Sequence, residues 1–402
     1  MKKFLIVLLF PLLYPIPILP QEKSIYSIDY TKTIAVADKE YGWGSFQFPT
    51  IYRNRDGIIA ITWSMGKDDV KFYNKNKSNS VFSVDNGKNW IKKTPENLFP
   101  FGGVFTNNGD YIKLHTPSSL NIADFKLKSI GVKKGSYSST EKYSLYNYNA
   151  LPDDLKGIYF NRIKKGEDKL QITKSQIHQD SNFLRYSVGN YFPIVWWGNI
   201  IKQDIKMLAS SYPYFSIDKQ GNILPSGIGI YESYDDGYNW ELKGVIDYKL
   251  KSDAEKKNAF GYTEPFLIEN KNGDLICVMR TTDGEGDKPI YLSISKDGGK
   301  TWREPNPITN SGVFPQLLYL KNGTMVMSTG RPGIQISISR DGGYTWTSPI
   351  EIQDKGKNTC GYTSMIEVNS NSFFLVYSDF DFPVQKNIKR KSIKISKITI
   401  YK

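Results

Sequence analysis

One eight-residue pattern occurs four times: SVDNGKNW at Ser83–Trp90, SYDDGYNW at Ser233–Trp240, SKDGGKTW at Ser295–Trp302 and SRDGGYTW at Ser339–Trp346. Its shared form is S-x-D-x-G-x-[TN]-W. Spread over most of a chain, such a pattern demands a repeat architecture. Each copy sets an Asp and a Gly in a tight turn between two strands. The Asp carboxylate can accept bonds from backbone N–H groups of its own turn, and Gly adopts a backbone conformation other residues resist. The Trp buries a large apolar face and needs one partner for its indole N–H. A unit of this kind locks a β-hairpin, so these residues are expected to be scaffold rather than active site.

A second repeat runs alongside the first. An apolar strand, a polar turn with Gly and another apolar strand recur as IYRNRDGIIAITW, VFTNNGDYIKL, YFSIDKQGNIL, FLIENKNGDLICVMR and LLYLKNGTMVMSTGR, and MIEVNSNSFFLVYS is a sixth copy without the Gly. Most steps are about 50 residues, the length of one four-stranded propeller blade. The step from Gly109 to Gly221 is double. It holds either a further blade near IYFNRIKKGEDKLQI or a long insertion, so spacing alone allows six blades or seven. Residues 116–190 lack both repeats in clean form and read as irregular material with long loops, shaping a rim.

Ile, Val, Tyr, Phe and Trp dominate the strand signals, and Gly, Asn and Asp punctuate them. With 39% hydrophobic and 14% aromatic residues in 402, one large β-core is affordable. No convincing amphipathic helix is present, and an all-β fold follows. The first residues read MKKFLIVLLFPLLYPIPILPQ: two lysines precede a proline-broken apolar run too short to span a bilayer. Residues 1–21 are therefore expected to be a cleaved signal peptide and residues 22–402 a single exported domain, secreted or periplasmic. No further spanning segment follows. The formal charge of +13 suits polyanionic partners such as acidic glycans, although a lysine-rich solvated surface alone would account for it. The export signal and the motifs exclude nucleic acid. Two His and two Cys give no metal-ligand spacing, so no metal or cofactor is expected. Cys277 and Cys360 are read as small buried residues, with pairing as the alternative. A closed propeller is expected to be a monomer.

The S-x-D-x-G-x-[TN]-W pattern resembles the Asp box of sialidases and related β-propellers, and the resemblance spans Phe46 to the C-terminus. It implies six blades plus an insertion. It also implies a site where inner strands converge. Glu264 in GYTEP and Arg280 in LICVMR share one hairpin, as a glutamate and a carboxylate-binding arginine do in the family. Arg331 in STGRPG resembles the next blade's arginine, and Tyr362 in CGYTS resembles the nucleophilic tyrosine. The chemistry explains the set. Guanidinium groups grip a sugar carboxylate with charge-assisted bonds. A carboxylate nucleophile would repel that sugar, whereas a neutral tyrosine relieved of its proton by Glu264 would not.

Two positions depart from the family. Sialidases usually carry F-R-I-P in the first hairpin, and this chain reads Phe46-Gln47-Phe48-Pro49, with Gln47 in place of a third arginine. Losing that charge would cost binding on the order of 1–2 kcal/mol. Arg53 and Arg55 lie nearby in sequence but at the turn. The family's acid falls before the first Asp box, where MGKDDVKF offers Asp68 and Asp69. Asp69 is taken as the acid and Asp68 as a substrate contact. Late in the chain, Asp379 stands where sialidases often have a glutamate.

Three functions fit. The first is a secreted retaining exo-glycosidase of sialidase type, releasing terminal sialic acid with Tyr362 as nucleophile. The second is an enzyme acting on another acidic sugar, by hydrolysis or by lyase chemistry. The third is a non-catalytic glycan-binding propeller, since a fold never proves an activity.

Overall fold

The computed structural model describes residues 25–135, 141–196, 198–249, 259–282 and 288–401. The signal-peptide expectation falls on residues 1–21, outside them. The described residues form strands and four single-turn 3₁₀ helices, with no helix long and apolar enough to cross a membrane. The all-β expectation holds.

The strands fall into antiparallel sheets in chain order. The first sheet holds Ser45–Arg53, Ile59–Met65 and Ser78–Ser83. The fourth holds Gly261–Glu269, Leu275–Thr282, Ile290–Ser295 and Asn306–Pro307, and the fifth Val313–Tyr319, Met325–Gly330, Ile334–Ser339 and Ile350–Gln353. The sixth joins Thr363–Asn369, Ser372–Gln385 and Ile388–Ile400 to Tyr26–Val36 from the other end of the chain.

Between the first and fourth lies a connected set of 13 strands. It contains a second sheet (Val104–Phe105, Tyr111–His115, Ile158–Ile163, Gln171–His178) and a third (Ile200–Gln203, Lys206–Ser216, Gly227–Ser233, Asn239–Ile246). An inserted sheet is built on Lys142–Asn147 and Phe183–Val188. IYFNRIKKGEDKLQI thus completes the second sheet, and the double step contains an insertion.

One hairpin was misread from sequence. YFSIDKQGNIL ends a long strand beside the insertion, joined only by the Ile217–Ile223 bridge. The third sheet's hairpin is Ile200–Gln203 with Lys206–Ser216, and its turn has no Gly: Asp204 takes the positive φ instead, at 33°. Asp tolerates that region better than most side chains, so the glycine signal was lost.

Core clusters sit between consecutive sheets. Ile276, Val278 and Ile294 of the fourth meet Leu317, Met325 and Met327 of the fifth. Val326 and Ile336 meet Phe373, Leu375 and Ile398 of the sixth, and Phe374 and Val376 meet Ile51, Ile59 and Ile61 of the first. Middle strands such as Leu275–Thr282 and Met325–Gly330 are therefore buried on both faces, which is why they read as continuous apolar runs. Each such side chain contributes roughly 1.5–3 kcal/mol on burial.

The four Asp-box turns are built alike. In each, the Ser hydroxyl donates to the Asp and accepts the Gly N–H, while the Asp accepts the N–H of the Asn or Thr before the Trp, whose side chain also donates to it. The indole N–H of Trp240, Trp302 and Trp346 goes to the carbonyl of the box Gly. Trp90 lacks that bond. The box glycines have φ of 81–95° and pack on the preceding sheet: Gly343 on Ile276, Gly299 on Ile230, Gly237 on Ile112. Gly87 of the first sheet packs on Phe374 of the sixth, where a Cβ would come within 2.4 Å of the ring.

Cys277 and Cys360 are buried and unpaired with one another, one in the fourth sheet and the other beside Ser378. Packing, not a disulfide, accounts for both.

Candidate active site

The first strands of the first, fourth and fifth sheets share a kink. Each skips two residues in its ladder: Phe48-Pro49, Glu264-Pro265 and Phe314-Pro315. Proline has no N–H to donate, so pairing lapses there and a bulge forms. The residue before it adopts positive φ: 53° at Phe48, 49° at Glu264 and 44° at Phe314. That region is costly for side chains of this size, and such strain gathers at functional sites.

The three bulges bring their side chains together. The Tyr362 hydroxyl donates to Glu264 Oε1. Arg280 Nη1 donates to both carboxylate oxygens, at 3.1 and 3.3 Å. The Phe314 N–H, released from the ladder by its own bulge, donates to Glu264 Oε2 at 2.8 Å. Glu264 and Arg280 are each 4% exposed. The Tyr362 ring stacks on Phe314 with centroids 4.2 Å apart, and Phe48 meets it edge-on at 4.8 Å. The phenol is thus fixed in plane by two rings and in direction by a carboxylate that a guanidinium and an amide hold still.

Arg331 stands next to this group. It is half-buried, has φ of 52° and packs against Gly361, the neighbour of Tyr362. Glu264, Arg280 and Tyr362 are therefore joined directly, with Arg331 beside them.

The two candidate acids differ in their surroundings. Asp69 caps the 3₁₀ turn Val70–Phe72, accepting from the Lys71 N–H, and its other oxygen faces the Lys71 ammonium at 3.8 Å. It is committed to local structure. Asp68 accepts the Trp43 indole N–H at 3.1 Å. Asp68 is exposed to solvent, yet enough protein surrounds its carboxyl to desolvate it. Burial pushes its carboxyl above the usual aspartate range; the Trp43 bond opposes this, and the charges of Glu264 and Asp69 add to it. Asp68 is the carboxyl that feels the charge of Glu264.

Gln47 is fully buried but turned aside: its Oε1 accepts the Gly44 N–H at 3.0 Å, and no bond to the Glu264 group forms. Gly44 requires its lack of a side chain. At φ 98°, a Cβ would fall 2.1 Å from the Gly66 carbonyl and 2.7 Å from the Asp68 nitrogen. Gln47 thus supports the loop carrying Asp68. Arg53 bonds to Asn86 and Arg55 covers Phe99, so neither serves the site. Asp379 is buried against Lys394 at 2.5 Å.

Sequence reasoning missed four residues. Phe48 and Phe314 were legible: QFP and VFP align with TEP at the same point of their strands. Trp43 carries no signal in sequence. Glu141, from the insertion, has its carboxyl raised by burial and by the charges of Asp68 and Asp69, against a hydrogen bond from Tyr143. It therefore belongs to the same neighbourhood, although it lies far from the repeats.

These features define an Asp-box β-protein with a tyrosine–glutamate–arginine centre. Residues 226–375 match the family described as a BNR repeat-like domain. Among solved structures it is similar to a protein of unknown function from Dyadobacter fermentans, at 17% identity with a TM-score of 0.62, covering 94% of this chain and 99% of that one. It is also similar to the NanB sialidase from Streptococcus pneumoniae, at 15% identity with a TM-score of 0.50, covering 91% of this chain and 70% of that one. No curated protein matches in sequence.

Proposed function

We propose that the protein is a retaining exo-glycosidase that removes a terminal acidic sugar, with sialic acid the first candidate. The observation that carries this reading is the hydrogen bond from the Tyr362 phenol to Glu264. In the forward step the Tyr362 oxygen attacks the anomeric carbon, its proton passes to Glu264, and Asp68 protonates the departing glycosidic oxygen. In the second step Asp68 takes a proton from water, water displaces the phenol, and Glu264 returns the proton to Tyr362. Arg280 and Arg331 bring two guanidinium charges to this centre, which favours an anionic sugar. No cofactor takes part.

The same reading takes the six main sheets as six blades in a ring, with the inserted sheet as a rim. The docking of the first Asp box on the sixth sheet supports closure. We further propose a monomer, exported to the periplasm or beyond, on the strength of the lysine-headed apolar run at the N-terminus.

The test is hydrolysis of fluorogenic α-sialosides, with NMR of the anomer first released. Turnover with retention, lost in Glu264→Gln and Tyr362→Phe, is the expected result. Absence of turnover on every sialoside linkage and every acidic glycan would remove the enzyme reading, and saturable binding without turnover would replace it with a glycan-binding role.

One observation favours a second reading. The first inner strand brings no cation, because Gln47 is turned to Gly44. A sugar whose acid group sits elsewhere, such as a uronic acid, would not need one. Release of sugar from acidic polysaccharides with sialosides inert would select it, and an ultraviolet-absorbing product would indicate a lyase.

A further inference from the structure

A second buried arginine lies outside the candidate active site and has no counter-charge. Arg185 is in the inserted strand Phe183–Val188 and is 8% exposed. Its guanidinium makes two long bonds to neutral carbonyls, Nη1 to Val195 at 3.4 Å and Nη2 to Gly157 at 3.3 Å. Among the described residues no carboxylate forms an ion pair with it. Arg162 shows the alternative: fully buried, it is paired with Asp110 at 2.9 Å. An uncompensated buried ion costs several kcal/mol even after relaxation, so Arg185 calls for an anion.

The surroundings supply a place for one. Arg185, Gln179, Tyr186, Trp196, Tyr212 and Tyr231 line a cavity of about 10 Å³, the space of one water-sized particle. Gln179 donates to the Tyr231 hydroxyl at 2.6 Å, and its Oε1 is buried without a partner. Turned over, the amide would accept the Tyr231 proton instead and present its NH₂ end as a second donor. The nearby phenols do not provide charge, since burial drives Tyr214 and Tyr231 further from ionisation. A water would meet the hydrogen bonds but leave the charge uncompensated.

We propose that this cavity, at the joint between the inserted sheet and the third sheet, binds a monatomic anion of chloride size on Arg185. The anion holds the insertion to the sheet below it. The inference is independent of any catalytic activity.

Two measurements on the full chain test it. Crystals grown in bromide should show an anomalous peak in the cavity, in contact with the Arg185 guanidinium. Thermal melts at constant ionic strength should show chloride raising Tm saturably over gluconate, by roughly 2–4 °C. Arg185→Met should abolish that difference. Gln179→Glu should also abolish it, by placing a fixed carboxylate beside the guanidinium, and should raise Tm in gluconate. An empty or water-filled cavity in bromide, or equal melting in chloride and gluconate, overturns the proposal. A chloride effect that persists in Gln179→Glu does so too. If Arg185→Met fails to fold, the bromide map and the other melts still decide.

Discussion

The Asp-box turns and the bulged strand ends are both repeats, yet they repeat different things. At the box turns, side-chain chemistry is constant: Ser, Asp and Gly make the same bonds in all four. At the bulges, the backbone is constant and the side chain varies: Phe48, Glu264 and Phe314 occupy one conformation with different chemistry. A scaffold turn has one task, satisfying its own backbone, so one residue set serves everywhere. A site has several tasks, so one strained backbone is reused to set an aromatic wall and a carboxylate against a single phenol, and a backbone donor against that carboxylate.

That contrast predicts separable losses. Glu264→Gln, which removes the carboxylate paired with buried Arg280, should lower kcat on the proposed substrate by on the order of 10²–10⁴-fold at a cost in stability, whereas Tyr362→Phe should lower it as far while thermal melting stays close to wild type. A matching collapse of Tm in Tyr362→Phe would show the bulges to be scaffold after all. Gly44→Ala should cost about 10²-fold in activity, because the new Cβ displaces the Asp68 loop by ångströms. Unchanged kinetics would remove Asp68 from the centre.

Ser233→Ala should do the reverse. It strands the Gly237 N–H and removes a bond to Asp235, costing about 1–3 kcal/mol in denaturant unfolding with kcat unaltered. Loss of activity at constant stability would erase the distinction. Trp43→Phe is subtler. The indole bond favours ionised Asp68, so losing it raises that carboxyl further. A general acid must be protonated, and the alkaline limb of the pH–rate profile should move upward. A downward shift would contradict the assignment.

The smallest effect concerns acid. Hydrogen bonds from Asn89 and Thr301 bring Asp85 and Asp297 to about 2. Carboxyls with lowered folded values add stability that is present above about pH 4 and lost as pH falls towards about 2. Asp85→Asn should flatten the acid limb of a Tm-against-pH curve in that window only.

Much of the scaffold was legible because its repeats are local. Ser, Asp, Gly and Trp act within eight residues, and a turn that closes on itself leaves its signature in sequence. The Gly-less turn at Asp204 hid one hairpin, and the insertion doubled one step. The joining of Glu264, Arg280 and Tyr362 was legible because single residues there carry distinctive chemistry. The choice between Asp68 and Asp69 was not, because it depends on which neighbour caps the Val70 turn and which meets Trp43. Gln47 was read only as standing in place of a third arginine, and its bond to Gly44 is visible in the structure alone.

The most direct test is covalent. A fluorinated sialoside slows breakdown of a glycosyl-enzyme, and peptide mass spectrometry then locates the sugar. The account predicts one adduct, on the peptide containing Tyr362 and absent from Tyr362→Phe. An adduct on a carboxylate, or turnover that persists in Tyr362→Phe, would contradict it.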